Sequence, residues 1–190
     1  MASGRYGPQD WIVAALVALA EGGIDAVRIE KLARRLNTSK GSFYWHFTDR
    51  PALLAAVLDF WEAEGTNLVI HSADTLEHPA ERMLAVVDIA LLATEKGADV
   101  ARTEAALRAW AAEEPVVAQR IARVDERRVA YLAEILALMG YDGAAAKLLG
   151  TGIYLALMGM YDARRYAPML ADDRAFRALV EIIVSSAPQL

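Results

Sequence analysis

The sequence predicts an all-α protein: a three-helix N-terminal domain followed by a larger helical domain. Three observations lead there. Hydrophobic residues make up 56% of the 190, alanine prominent among them, and there are only six prolines, a composition suited to long helices. Apolar residues recur three and four apart in nearly every segment, the period of an amphipathic helix. Charge is unevenly placed. Residues 28–50 hold six basic against two acidic side chains, net +4, while the whole chain is at −5, which leaves −9 elsewhere. The expected domains are 1–50 and 51–190.

Taken in order, the first nine residues read as an arm carrying Arg5. Asp10 is placed to cap a helix running to about Glu21, with Trp11, Ala15, Leu16 and Leu19 inward and Gly22-Gly23 ending it. Ile29, Leu32, Ala33 and Leu36 form the stripe of a short second helix whose other faces carry Glu30, Lys31, Arg34 and Arg35. Asn37 suits its left-handed end, and Thr38 or Ser39 can cap the next helix. Phe43 and Phe47, four apart, turn inward, leaving Thr38, Ser39, Lys40, Gly41, Ser42, Tyr44, Trp45 and His46 outside.

Two short helices joined by a tight turn, the second polar and aromatic on its outer face, have the layout of a helix-turn-helix that lays its second helix in a DNA major groove. Gly41 has no side chain to keep the backbone away from a duplex. Lys40 supplies charge, and Ser39, Ser42, Tyr44 and His46 supply hydrogen bonds to phosphates or base edges. Exposed Tyr44 and Trp45 need a partner to cover them. A local basic patch on an acidic chain is an electrostatic footprint for phosphate, and Arg5 offers a further contact.

Beyond the motif, a helix from Pro51 aligns Leu54, Val57, Leu58, Trp61 and Leu68 and is expected to fray near Gly65. A polar loop is expected from His71 to His78, then a helix from Pro79 to about Lys96 closed by Gly97. Further helices are expected over Val100–Glu114, Pro115–Met139, Ala144–Arg165 and Asp172–Ser186. The Ala144 helix is apolar nearly all round, a pattern that predicts burial on every side.

The segment from about Trp11 to Trp61 resembles the N-terminal domain of the tetracycline-repressor (TetR) family of bacterial transcriptional regulators. The resemblance rests on Glu21-Gly22-Gly23, Leu32-Ala33, the run Ser39-Lys40-Gly41-Ser42-Phe43-Tyr44-Trp45-His46-Phe47, and Leu53-Leu54. It implies a homodimer that binds a palindromic operator on double-stranded DNA, usually as a repressor, and is released by a small molecule. Position by position, it implies phosphate or base contacts for Lys40, Ser42, Tyr44 and His46, and a phosphate clamp for Arg50. Arg28 stands where a Thr or Ser cap is usual, exchanging a cap for a phosphate contact. Asn37 replaces the usual Gly, and Pro51 a usual acidic residue.

For the second domain, Gly152, Ala156 and Gly159 put small residues on one helix face. With Phe176, Leu179, Val180 and Ile183 of the last helix they are the candidate dimer interface, a four-helix bundle across a two-fold axis. Candidate pocket residues are Trp61, Met83, Trp110, Tyr131, Tyr154 and Met158, joined by Asp88, which interrupts an apolar run and wants a partner. Simple core packing is the stronger reading for any one of the six, and for Asp88 a protein neighbour or solvent exposure serves as well as a ligand. Arg108 is placed to pair with Glu104 four residues back.

The chain has no cysteine, hence no disulfide or thiol chemistry. Its three histidines, His46, His71 and His78, have no metal-ligand spacing, and no catalytic triad or phosphate-cradling glycine loop stands out. No cofactor, no metal and no enzymatic activity are expected. A helical enzyme, or an interaction module using the aromatic patch, is the alternative of another class. No signal peptide is apparent, and the apolar run Leu148–Tyr161 is 14 residues, short of the ~20 that span a bilayer. A cytoplasmic protein without membrane contact is expected.

Overall fold

The structure is a computed structural model that describes residues 6–92, 94–95 and 97–188. It divides into two compact units, one made of Met1–Ala63 with Ala93–Ala118, the other of Glu64–Leu92 with Gln119–Leu190. The division therefore does not fall after residue 50. The helix that follows the motif stays with it, and a distant helix joins the same unit.

In the first unit, α1 (Pro8–Gly22) starts from Gly7. Asp10 is not its N-cap but lies one turn inside, where its carboxylate accepts the Gly7 N–H at 2.7 Å. A 3₁₀ turn (Ile24–Ala26) leads to α2 (Ile29–Arg35). Asn37 follows with φ +49°, the left-handed conformation expected of it. Ser39, not Thr38, caps α3 (Lys40–Phe43) by accepting the Ser42 N–H at 3.2 Å. Asp49 caps α4 (Arg50–Glu62), with Pro51 in the first turn, where its missing N–H costs nothing.

The core of this unit forms where α1 packs on α4 and on α7 (Val100–Glu113). Trp11, Leu19, Leu32, Phe43, Leu53 and Leu107 are fully buried there. Glu104 of α7 is also buried. It accepts the Trp61 indole N–H at 3.0 Å and holds the expected ion pair with Arg108, so its charge is compensated.

α4 does not simply fray near Gly65. It ends in a π turn (Ala63–Leu68), and α5 (Val69–Asp74) occupies much of the expected polar loop. Arg128 stabilises the π turn, its Nε donating to Thr66 Oγ1 at 2.8 Å and its guanidinium also reaching the Gly65 carbonyl at 3.2 Å. Arg127 donates to Asn67. α6 (Pro79–Ala90) stops earlier than expected. An antiparallel hairpin follows, β1 (Thr94–Glu95) with β2 (Ala98–Asp99), and Gly97 (φ +81°) takes up the positive φ in its turn. Lys96, the expected end of that helix, lies outside the described residues.

The remaining helices match their expected bounds within two residues: α8 (Pro115–Leu138), α9 (Gly143–Tyr166) and α10 (Asp173–Ser185). Gly150 of α9 is required by the approach of α8, because a Cβ there would lie 3.0 Å from the Ala133 nitrogen. α9 is not buried on every side. Leu148 is 75% and Leu155 63% exposed, and Gly152 and Gly159 open onto free space. Among the described residues, α9 is also the one helix long and apolar enough to cross a membrane by length and composition alone, since it extends well beyond the 14-residue run counted in the sequence.

Candidate nucleic-acid interface

The burial of Phe43 fixes which way α3 faces. Phe43 meets Trp11 edge to face at 5.3 Å and stacks on Phe47 at 5.5 Å. With that side anchored, Tyr44 and Trp45 project outward, 53% and 87% exposed, and His46 is exposed beside them. Ser39, Lys40 and Gly41 are exposed, while Thr38 and Ser42 are half-buried. Eight of the expected contact residues thus lie on one short continuous stretch. His46 Nε2 lies 2.9 Å from the Tyr6 carbonyl, which brings the start of the described chain to α3.

Two expected basic contacts differ. Arg28 occupies the N-cap position of α2 without capping it, and its exposed guanidinium donates to the Asp25 carbonyl at 2.9 Å. Arg50 is turned inward. Its Nε donates to the Val27 carbonyl at 2.7 Å and its Nη2 to the Ile24 carbonyl at 2.6 Å. The Ile24 carbonyl also accepts the Val27 N–H within the 3₁₀ turn at 3.3 Å, and the turn sets both carbonyls within reach of one planar guanidinium. Arg50 thus braces the start of α4 against the turn. Sequence reasoning counted exposed Lys31 and Arg34 of α2 only within the basic patch, and gave no role to Glu30, which lies 2.5 Å from Lys40. No spacing rule couples residues ten apart across a turn.

The expected pocket residues fall in both units. Trp61 and Trp110 lie in the first unit, while Met83, Asp88, Tyr131, Tyr154 and Met158 lie in the second. Asp88 is an exposed carboxylate ion-paired with Arg177, not a buried group in want of a ligand. Tyr154 donates to Asp125 at 2.5 Å and Tyr131 to Asp74 at 2.8 Å. Trp61, Trp110, Met83 and Tyr154 are buried packing residues.

The expected dimer residues also separate. Phe176 and Val180 are buried within their own unit and Ile183 is half-buried, so α10 turns these side chains toward its own core. Leu179 and Ile182 face outward, 42% and 63% exposed. Ile182 stands three residues after Leu179, on the same side of the helix, and was not singled out in the sequence.

A capped second helix set on a buried phenylalanine, with exposed aromatics in the turn after it, has the layout of a helix-turn-helix. The family model for bacterial regulatory proteins, tetR family, matches residues 12–57. An uncharacterized transcriptional regulator of the helix-turn-helix type from Bacillus subtilis, YvdT, is 29% identical over 105 residues, 52% of this chain and 50% of that protein. The class A tetracycline repressor of transposon 1721 from Escherichia coli is 39% identical over 67 residues, 35% of this chain and 31% of that one. The chain thus matches half or less of these relatives' length. Almost the whole fold recurs in the regulator FadR of Bacillus subtilis, whose structure holds stearoyl-CoA, with a TM-score of 0.68 at 18% identity over 95% of this chain and 99% of that one. The family match is confined to residues 12–57, the helix-turn-helix end of the chain.

Proposed function

We propose that the chain is a transcriptional regulator that binds a palindromic operator as a homodimer, represses there, and is released by a small molecule. The observation that carries this reading is the outward projection of Tyr44, Trp45 and His46 from the turn that directly follows α3, which Phe43 anchors. Large aromatics held this far into water by a rigid core suit groove contact. Thr38, Ser39, Lys40, Gly41, Ser42 and Arg28 complete the proposed contact set, and Arg50 supports it from within.

Two copies follow from the apolar surface of α9 and α10. Leu148, Leu155, Leu179 and Ile182, with Gly152 and Gly159 between them, offer close helix approach across a two-fold axis. A two-fold pair presents its recognition helices to half-sites about one DNA turn apart, ~34–36 Å. With three or four phosphates per protomer, the dimer neutralises ~6–8 and its binding falls with salt at a log–log slope of roughly −5 to −7. An operator on the chromosome places the protein in the cytoplasm.

Release by a small molecule draws support from the shared fold with FadR, whose structure holds an acyl-CoA. An effector acts only through its difference in affinity between DNA-competent and incompetent states, and moving that balance from 99:1 to 1:99 needs ~5.5 kcal/mol. No catalytic role is proposed.

The test is selection of bound duplexes from a random pool by the full chain, followed by sedimentation of the complex. An enriched inverted repeat bound by two chains is expected. Enrichment of no sequence, or of single half-sites bound by one chain, contradicts the proposal.

A further inference from the structure

The cations of the helix-turn-helix do not all await DNA. Arg50 is committed to two backbone carbonyls, and Arg35 of α2 is ion-paired with Glu21 of α1. The most telling case is Lys40, the first residue of α3. Its Nζ lies 2.5 Å from Oε1 of Glu30, in the first turn of α2, with both side chains more than half exposed. The pair bridges the two helices of the motif. Each partner holds the other charged: the hydrogen bond keeps the Glu30 carboxyl below its usual range and the Lys40 ammonium above its own. Tyr44 follows Lys40 by four residues, one helical turn, so the pair adjoins the aromatic face.

We propose that Glu30 is an internal surrogate for a DNA phosphate, occupying Lys40 in the free protein and yielding it only by exchange, so that Glu30 sets how tightly the motif grips a duplex. The inference rests on the DNA-binding reading above. Carboxylate and phosphate are both oxyanions that accept charge-assisted hydrogen bonds from an ammonium. An ammonium on a flexible stem accepts either without a fixed geometry, which a bidentate arginine would not. An exposed ion pair is weak enough to open, and a phosphate contact adds release of condensed counterions, which favours exchange at low salt. The opened Glu30 is left facing the duplex as an unpaired negative charge, so every complex in which Lys40 reaches a phosphate is weaker than the count of cations implies.

The experiment is a double-mutant cycle on the full chain: wild type, Glu30→Gln, Lys40→Gln and the double variant. Each is titrated by fluorescence anisotropy against a duplex selected from a random pool and against a scrambled duplex, with thermal melts to confirm folding. Glu30→Gln is expected to tighten both complexes by on the order of threefold or more, and Lys40→Gln to weaken both. In the Lys40→Gln background the gain from Glu30→Gln is expected to shrink by at least half. Glu30→Asp, whose carboxylate is one methylene too short to hold the same pair, gives an intermediate gain. An equal gain in both backgrounds makes Glu30 a plain source of repulsion and overturns the exchange, as does a Glu30→Gln variant that binds like wild type while Lys40→Gln binds more weakly. If wild type binds neither duplex, the DNA-binding reading fails and the inference with it.

Discussion

Arg50 separates two accounts of the same residue, and Arg50→Ala distinguishes them. Its guanidinium donates to the carbonyls of Val27 and Ile24 at 2.7 and 2.6 Å, joining the start of α4 to the turn that precedes α2. Hydrogen bonds from a charged donor contribute about 1.5–3 kcal/mol each. Arg50 is only half-buried, so water recovers part of both when it is removed, and a net loss of ~2–3 kcal/mol is expected. For a chain of this size that lowers the melting temperature by about 5–10 °C. Arg50→Lys keeps the charge but cannot span both carbonyls, and should lose most of the same stability. The assays are thermal melting and DNA titration at several salt concentrations below the melting range. A brace leaves the salt slope unchanged in both variants. A phosphate clamp lowers it by about 1.8 for a dimer, ~0.9 per contact, in Arg50→Ala alone. An unshifted melting temperature with a reduced slope would refute the reasoning.

Tyr44→Ala removes a side chain that is half exposed. It should weaken operator binding at least about tenfold, in keeping with the loss of a specific contact, while moving stability by less than ~1 kcal/mol. Gel-shift and denaturant titrations check both. Leu155→Asp places a charge on the open face of α9 and is expected to convert the dimer to a folded monomer in sedimentation; a variant that remains dimeric removes that face from the interface. Burial, and then its hydrogen bond to Asp74, raises the Tyr131 hydroxyl above its ordinary pKa. Above pH ~10 the unfolded chain therefore loses this proton more readily than the folded one, and stability falls as pH rises. Tyr131→Phe should flatten that alkaline decline, measured as urea midpoints between pH 8 and 11.

The long helices were readable from sequence because period and punctuation agreed, as where Pro115 and Gly140 bracket α8; the cap that Asp142 gives α9 through the Ala144 and Ala145 N–H groups was seen only in the structure. The turn at Asn37 and the inward set of Phe43 were readable for the same reason. Two kinds of feature were not. Periodicity finds an apolar face but not what covers it, so Phe176 and Val180 read the same as Leu179. Charge pattern finds cations but not their commitments. Arg50 looked like a surface cation because the two carbonyls it braces come within reach of one guanidinium only once the 3₁₀ turn forms. The hairpin after α6 had no alternating pattern to announce it, since each strand has only two residues.

The bare side of α9 has a consequence for the life of the protein. Leucines standing in water at Leu148 and Leu155 make a solitary copy prone to sticking wherever it first meets another greasy surface. If a twin covers them, melting temperature climbs with concentration. Freshly made chains are then most vulnerable when scarce, and abundance itself becomes one of the terms that keeps the molecule intact.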